Sequence, residues 1–178
     1  MVIAMDVYKY VCDADRFDAV APPEEAYEEF NSFDGRPRAQ KWKPIKVAWY
    51  EVGESGDFPP LMGHVPVFSE RASKELLPLV REHVEHLPLQ HDSRSHPPIA
   101  AIHVLPILDC LDPTLAEIEW FESGIIGIDH YVFIEDRIAG FPMFRIKGYE
   151  FAHVFVTQPF REAVEAAKLR GLVFKKLP

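Results

Sequence analysis

Between Phe141 and Phe174 the chain packs so many stop signals among its apolar runs that few arrangements remain open to it. Phe141-Pro-Met-Phe-Arg-Ile-Lys147 is sheet-like and must turn at Gly148. His153-Val-Phe-Val-Thr157 is a second strand, followed by a short helix from Phe160 to Lys168. Gly171 is placed to end that helix, and Leu172-Val-Phe174 follows as a final strand. Strands this close together, joined by short turns, favour antiparallel pairing.

The remainder reads in the same style. Val and Tyr make Asp6–Cys12 a strand, with Met1–Asp6 a first strand before it. Pro22-Pro23 introduces one or two helical turns over Glu24–Phe30, which stop at Asn31–Gly35. Lys46–Val52 is a strand, and the twice-punctuated Gly53–Pro60 is a loop. Val65–Phe68 is a strand feeding Ser69, whose hydroxyl is placed to cap a helix from Glu70 to about Glu85. Pro78 should kink or break that helix. Gln90–Pro98 reads as a flexible loop, and Ala100–Leu108 as a long strand in which Pro106 marks a bulge or an edge. Glu117–Glu122, Tyr131–Ile134 and Met143–Lys147 complete the strands.

The expected fold class is therefore α+β: a largely antiparallel mixed sheet with two principal helices, in one domain over 1–178. A subdivision into residues 1–60 and 63–177 stays open. His64–Ser69 with its helix echoes His153–Thr157 with its helix, each a His, a strand, a hydroxyl and a helix. Chance and duplication explain that echo equally well.

Charge is unevenly distributed along the chain. Residues 1–35 hold nine acids and two bases, and residues 109–136 hold eight acids and no Lys or Arg. With a net charge of −9, such a chain repels a phosphate backbone, so no nucleic acid is expected as a ligand. No apolar run reaches the length of a membrane span, and the N-terminus lacks a secretory signal. Two cysteines, Cys12 and Cys110, are too few for a disulfide framework and read as buried thiols. A cytoplasmic location fits all of these.

Chemistry-bearing patterns are weak. His83, His86, His91 and His96 crowd together, with His83 and His86 on one helical face, but the spacing loosens into a loop and no cysteine joins them. Neither the carboxylates around Asp13 nor those around Asp109 suggest a pocket for an acid–base pair, and Asp15 and Asp112 read as turn residues. No nucleophile elbow or phosphate loop occurs. No metal, cofactor or catalytic residue is expected. Trp49 reads as core, while Trp42, between Lys41 and Lys43, suits a surface anchor.

Ile138–Gly148, Val154–Thr157, Phe160–Val164 and Leu169–Phe174, in that order and spacing, resemble the ending of the eleventh immunity-protein family of bacterial polymorphic toxin systems. Upstream, Gly63–Ala72 and Leu108–Asp112 are similar to two other stretches of that family, so the resemblance covers residues 63 to 177. It implies a small antidote that binds a cognate toxin and occludes its active site, and it offers no catalytic residues. The recurrent positions have structural explanations as well: Gly148 and Gly171 in turns or caps, Ser69 and Thr157 at helix starts, Phe144, Phe155, Phe160 and Leu172 in the core. The acidic segments then suggest a basic toxin domain as partner, met by Asp13, Asp15, Asp18, Glu24, Glu25, Glu28, Glu29 and Trp42. The alternatives are a general protein- or ligand-binding module and, further off, a hydrolase using the histidines and carboxylates.

Overall fold

The computed structural model describes residues 5–178, so the strand expected over Met1–Asp6 falls largely outside the described residues. In chain order the elements are β1 (Val7–Cys12), β2 (Ala19–Ala21), α1 (Tyr27–Asn31), β3 (Ile45–Lys46), β4 (Ala48–Tyr50), β5 (Val67–Ser69), α2 (Glu70–Val80), β6 (Val84–Gln90) and β7 (Ile99–Val104). There follow β8 (Ile107–Leu108), β9 (Glu117–Phe121), β10 (Gly124–His130), α3 (Glu135–Ile138), β11 (Met143–Ile146), β12 (Phe155–Thr157), α4 (Gln158–Ala166) and β13 (Leu172–Lys176). The class is α+β. A five-stranded sheet runs β13-β1-β12-β11-β8 and a four-stranded sheet β3-β6-β7-β5, with two-stranded pairs β2–β4 and β9–β10. Pairing is antiparallel except at β8–β11 and β3–β6.

The central strands of the larger sheet are buried on both faces, so their sequences carry no polar alternation. Tyr8, Tyr10, Met143, Val154 and Val156 face a core completed by Leu76 and Val80 of α2, Phe160 and Val164 of α4, and Ile102 and Val104 of β7. Val7, Phe144, Ile146 and Phe155 point the other way, onto Ile128, Tyr131 and Ile138. A third core joins Phe30 and Phe33 to Val47, Val67, Leu87, Leu89 and Ala101. The echo between β5–α2 and β12–α4 takes spatial form: each strand–helix unit belongs to a different sheet, and the two helices pack together over the first core.

Several boundaries differ from the sequence expectation. Lys46–Val52 is not one strand. Val47 is buried and donates its amide to Gln90 O at 2.8 Å, which splits the run into β3 and β4 in separate sheets. The helix from Ser69 ends at Val80, not near Glu85. It passes through Pro78, whose missing N–H falls in the last turn, and Val84–Gln90 is a strand instead. Pairing with β7 and burial of Val84, Leu87 and Leu89 outweigh the helical spacing upstream, and Pro88 biases Leu87 toward extended backbone. Pro106 ends one strand before another begins: β7 belongs to the smaller sheet and β8 to the larger. Tyr131–Ile134 forms no strand beyond the isolated bridge of Phe133 to Leu111; the strand is β10, just before it.

Ser69 caps α2 as expected, its Oγ accepting from Ala72 N at 3.1 Å. Thr157 stands at the equivalent position of α4 but makes no cap bond; its hydroxyl donates to Phe141 O at 3.2 Å. Nor does Gly171 end α4. Lys168 does, at φ 52°, with its amide bonded to Glu165 O and that of Leu169 to Val164 O, a Schellman closure. Gly171, at φ 117°, shapes the turn into β13 against Phe58.

Candidate partner-binding surface

The histidines serve the fold. His83 and His86 share no helix; His86 lies in β6 with Nε2 3.0 Å from Ser73 Oγ, and burial pushes its pKa down. The loop expected over Gln90–Pro98 starts one residue later, since Gln90 ends β6, and it is tied down from within, with His91 Nε2 2.9 Å from Pro97 O. His96 is buried, stacks on Trp49 at 3.8 Å, and places Nδ1 2.6 Å from Ser93 Oγ and Nε2 3.0 Å from Asp18 Oδ2. That order resembles a nucleophile–base–acid chain, but each member is already committed. Asp18 also accepts from the amides of Val52 and Gly53, so the chain clamps the loop onto the β2–β4 pair. The His96 bond and these amides hold the Asp18 carboxyl below its ordinary pKa.

His103, fully buried in β7, faces Glu85 Oε2 at 3.1 Å through Nδ1, while its Nε2 accepts from Gly35 N at 3.1 Å. Glu85 in turn accepts from the amides of Arg38 and Ala39. Burial lowers the pKa of His103, and that latch fixes the turn after α1. Among the described residues no three His, Cys, Asp or Glu side chains converge in a metal-binding group. Both thiols are free, and burial pushes each up to about 12.

The eight residues expected to meet a partner are not all free at the surface. Asp13 and Asp15 follow β1, with Asp13 N bonded to Gly171 O. Beside them Arg16 and Arg170 both pair with Glu54. Asp18 is buried and leaves the set: a carboxylate engaged by two amides and an imidazole has nothing left to offer a partner. Glu24, Glu25, Glu28 and Glu29 are exposed around α1, Glu29 pairing with Arg38 at 2.8 Å. Trp42 is no free anchor. It packs edge-on against Phe30 and Phe33, and Nε1 donates to Pro88 O at 2.9 Å. Its remaining surface lines a cleft of about 280 Å³ with Glu25, Glu29, Lys41 and Lys43.

A different surface stands out. The β9–β10 ribbon is a sheet of its own, and Trp120 and Phe121, which point to opposite faces, are 63% and 65% exposed. Ile126 at 53%, on a bulge of β10, and Leu115 at 62%, just before β9, extend the patch. Asp112 builds that entry turn, accepting from the Thr114 hydroxyl and from the amides of Thr114 and Leu115. Ile118, Ile125 and Ile128 pin the inner face of the ribbon to the core of Phe144, Ile146, Phe155 and Tyr131. On the outer face Phe121 lies opposite Gly124 and Glu119 opposite Gly127, so neither has a cross-strand side chain above it.

Sequence reasoning took Glu117–Glu122 for a strand and missed this patch. The adjacent aromatics Trp120-Phe121 were the available signal, because two neighbours in a strand cannot share one buried face. No curated protein matches the chain. Residues 82–177, which take in the ribbon but leave out Gly63–Ala72, match the model of an immunity protein family, Imm11, and the chain belongs to that family.

Proposed function

We propose that this chain is a cytoplasmic antidote that binds a cognate secreted toxin and neutralises it by covering the toxin's active site, with no reaction or cofactor of its own. Membership of an immunity protein family over the C-terminal half carries this reading. The geometry supports it: Asp18, Glu85, His96 and His103, the groups best suited to acid–base chemistry, are bonded to one another or to backbone within the fold. Meanwhile large apolar side chains are held outward on a braced ribbon, an arrangement suited to contact. Acidic segments disfavour nucleic acid as the partner and favour a basic protein.

Co-expression with the product of the adjacent gene tests the proposal. Restored growth together with a co-purifying complex supports it; toxicity without rescue or binding sinks that pairing.

A further inference from the structure

We propose that the β9–β10 ribbon, together with its entry turn, is the surface that seats the basic toxin domain; this inference rests on the antidote reading above. Exposed apolar residues on a soluble protein are ordinarily scattered. Here Leu115, Trp120, Phe121 and Ile126 gather on one ribbon and its approach, each more than half exposed. Trp120 lies across from Ile125, and Phe121 is on the other face, so the partner grips the ribbon from both sides. Interfaces draw on such aromatic anchors, and anchoring works best when the free protein already holds them in place. The ribbon meets that condition. Three isoleucines fasten its inner face, and Ile125 N donates to Gly148 O at 3.1 Å at its base.

Charge selects the occupant. Glu117 and Glu119 share the outer face with Phe121, while Glu122 and Asp129 flank it. No Lys or Arg occurs between residues 109 and 136, although Lys147 is exposed near the base. A second copy of this chain docked about a two-fold axis would set these acids against each other, a cost a basic partner avoids. Two bulges, at Ile126 and Asp129, disrupt the ladder of β10. Recognition therefore runs through side chains rather than through strand addition.

The test measures association of the purified chain with the toxin domain encoded beside it. Phe121→Ser, Trp120→Ser and the pair Glu117→Lys/Glu119→Lys are compared with Glu25→Lys/Glu28→Lys on α1. Thermal unfolding confirms that each variant folds; the charge pair, fully on the surface, serves if a Ser variant does not. Expected is at least tenfold weaker binding for each Ser variant, and roughly tenfold slower association for Glu117→Lys/Glu119→Lys at low salt, shrinking as salt is raised. The α1 pair should bind as wild type. Folded ribbon variants that bind and rescue like wild type overturn the ribbon assignment and leave the antidote reading standing. A wild-type chain that neither binds nor rescues overturns both.

Discussion

Arg145 Nη2 donates to the carbonyl oxygen of His64 across 2.9 Å, fastening β11 to the segment that leads into β5. Its Nη1 donates to Phe33 O at 2.8 Å and Glu150 O at 3.0 Å, so one guanidinium satisfies carbonyls from three separate stretches of chain. The side chain is fully buried with no carboxylate bonded to it among the described residues, and burial lowers its pKa to about 10.

Arg145→Ala should therefore cost about 3–5 kcal/mol, because three carbonyls lose their donor inside the protein and a large cavity opens. Urea unfolding monitored by tryptophan fluorescence measures it. A loss below about 1 kcal/mol would mean that water replaces the guanidinium without penalty.

Asp18→Ala should destabilise by about 2–4 kcal/mol, since it strands the amides of Val52 and Gly53 and unpairs His96. Reversing the exposed Glu24, Glu25 and Glu28 to Lys should shift stability by less than about 0.5 kcal/mol apiece. Equal losses at the two places would show that the burial of Asp18 contributes nothing.

Gly35 and Gly140 share nearly the same positive φ, 82° and 83°, in different surroundings. A Cβ at Gly35 would come within 2.7 Å of Ile107 Cδ1 and 2.9 Å of Leu105 O, whereas at Gly140 it would meet nothing within 4 Å. Gly140→Ala should cost about 1 kcal/mol from conformation alone. Gly35→Ala should cost clearly more, about 2–4 kcal/mol, with the Gly35–His103 bond disturbed as well. Paired melting curves decide it.

Stability should fall as pH drops below about 6.5, the ordinary value for histidine. His64, His86, His103 and His153 each have a pKa pushed down by burial. The unfolded chain then binds protons that the folded chain refuses, so this stabilisation is complete above about pH 6.5 and drains away toward the lowered folded values. Urea midpoints at pH 7.5 and 5.5 test the sign. His103→Gln, which cannot charge, should narrow the gap between them; a midpoint unchanged by pH would refute the account.

What could be read from residue order was the local part of the fold. Ser69 before a helix, the Val and Tyr of β1, and the strand–strand–helix–strand succession after Phe141 all declare themselves within a few residues. β6 and β10 stayed hidden because their own residues argue against strands, and pairing with a neighbour makes them. Pro88 argues against a strand locally, yet it pairs with Ala100, and the Gly-rich β10 exists by virtue of β9. The surface was less legible still. Asp18 and Glu24 look alike in sequence; only the loop at 91–98, more than seventy residues away, turns the first into an internal ligand for His96. The segment without cations was visible, but not that its Trp120 and Phe121 stand exposed while Tyr131 is buried.

β1 lies between β12 and β13, bonded on one side through Val7–Lys9 and on the other through Tyr8–Cys12. A ribosome making this chain releases β1 more than 140 residues before either neighbour exists. The larger sheet therefore closes only once β12 and β13 have been made, and its folding rate carries the cost of joining strands far apart in the chain. Premature termination upstream of Phe155 yields a β1 with no neighbour in its own chain: such fragments are clients for chaperones and proteases, and only molecules carrying both β12 and β13 enter the working pool.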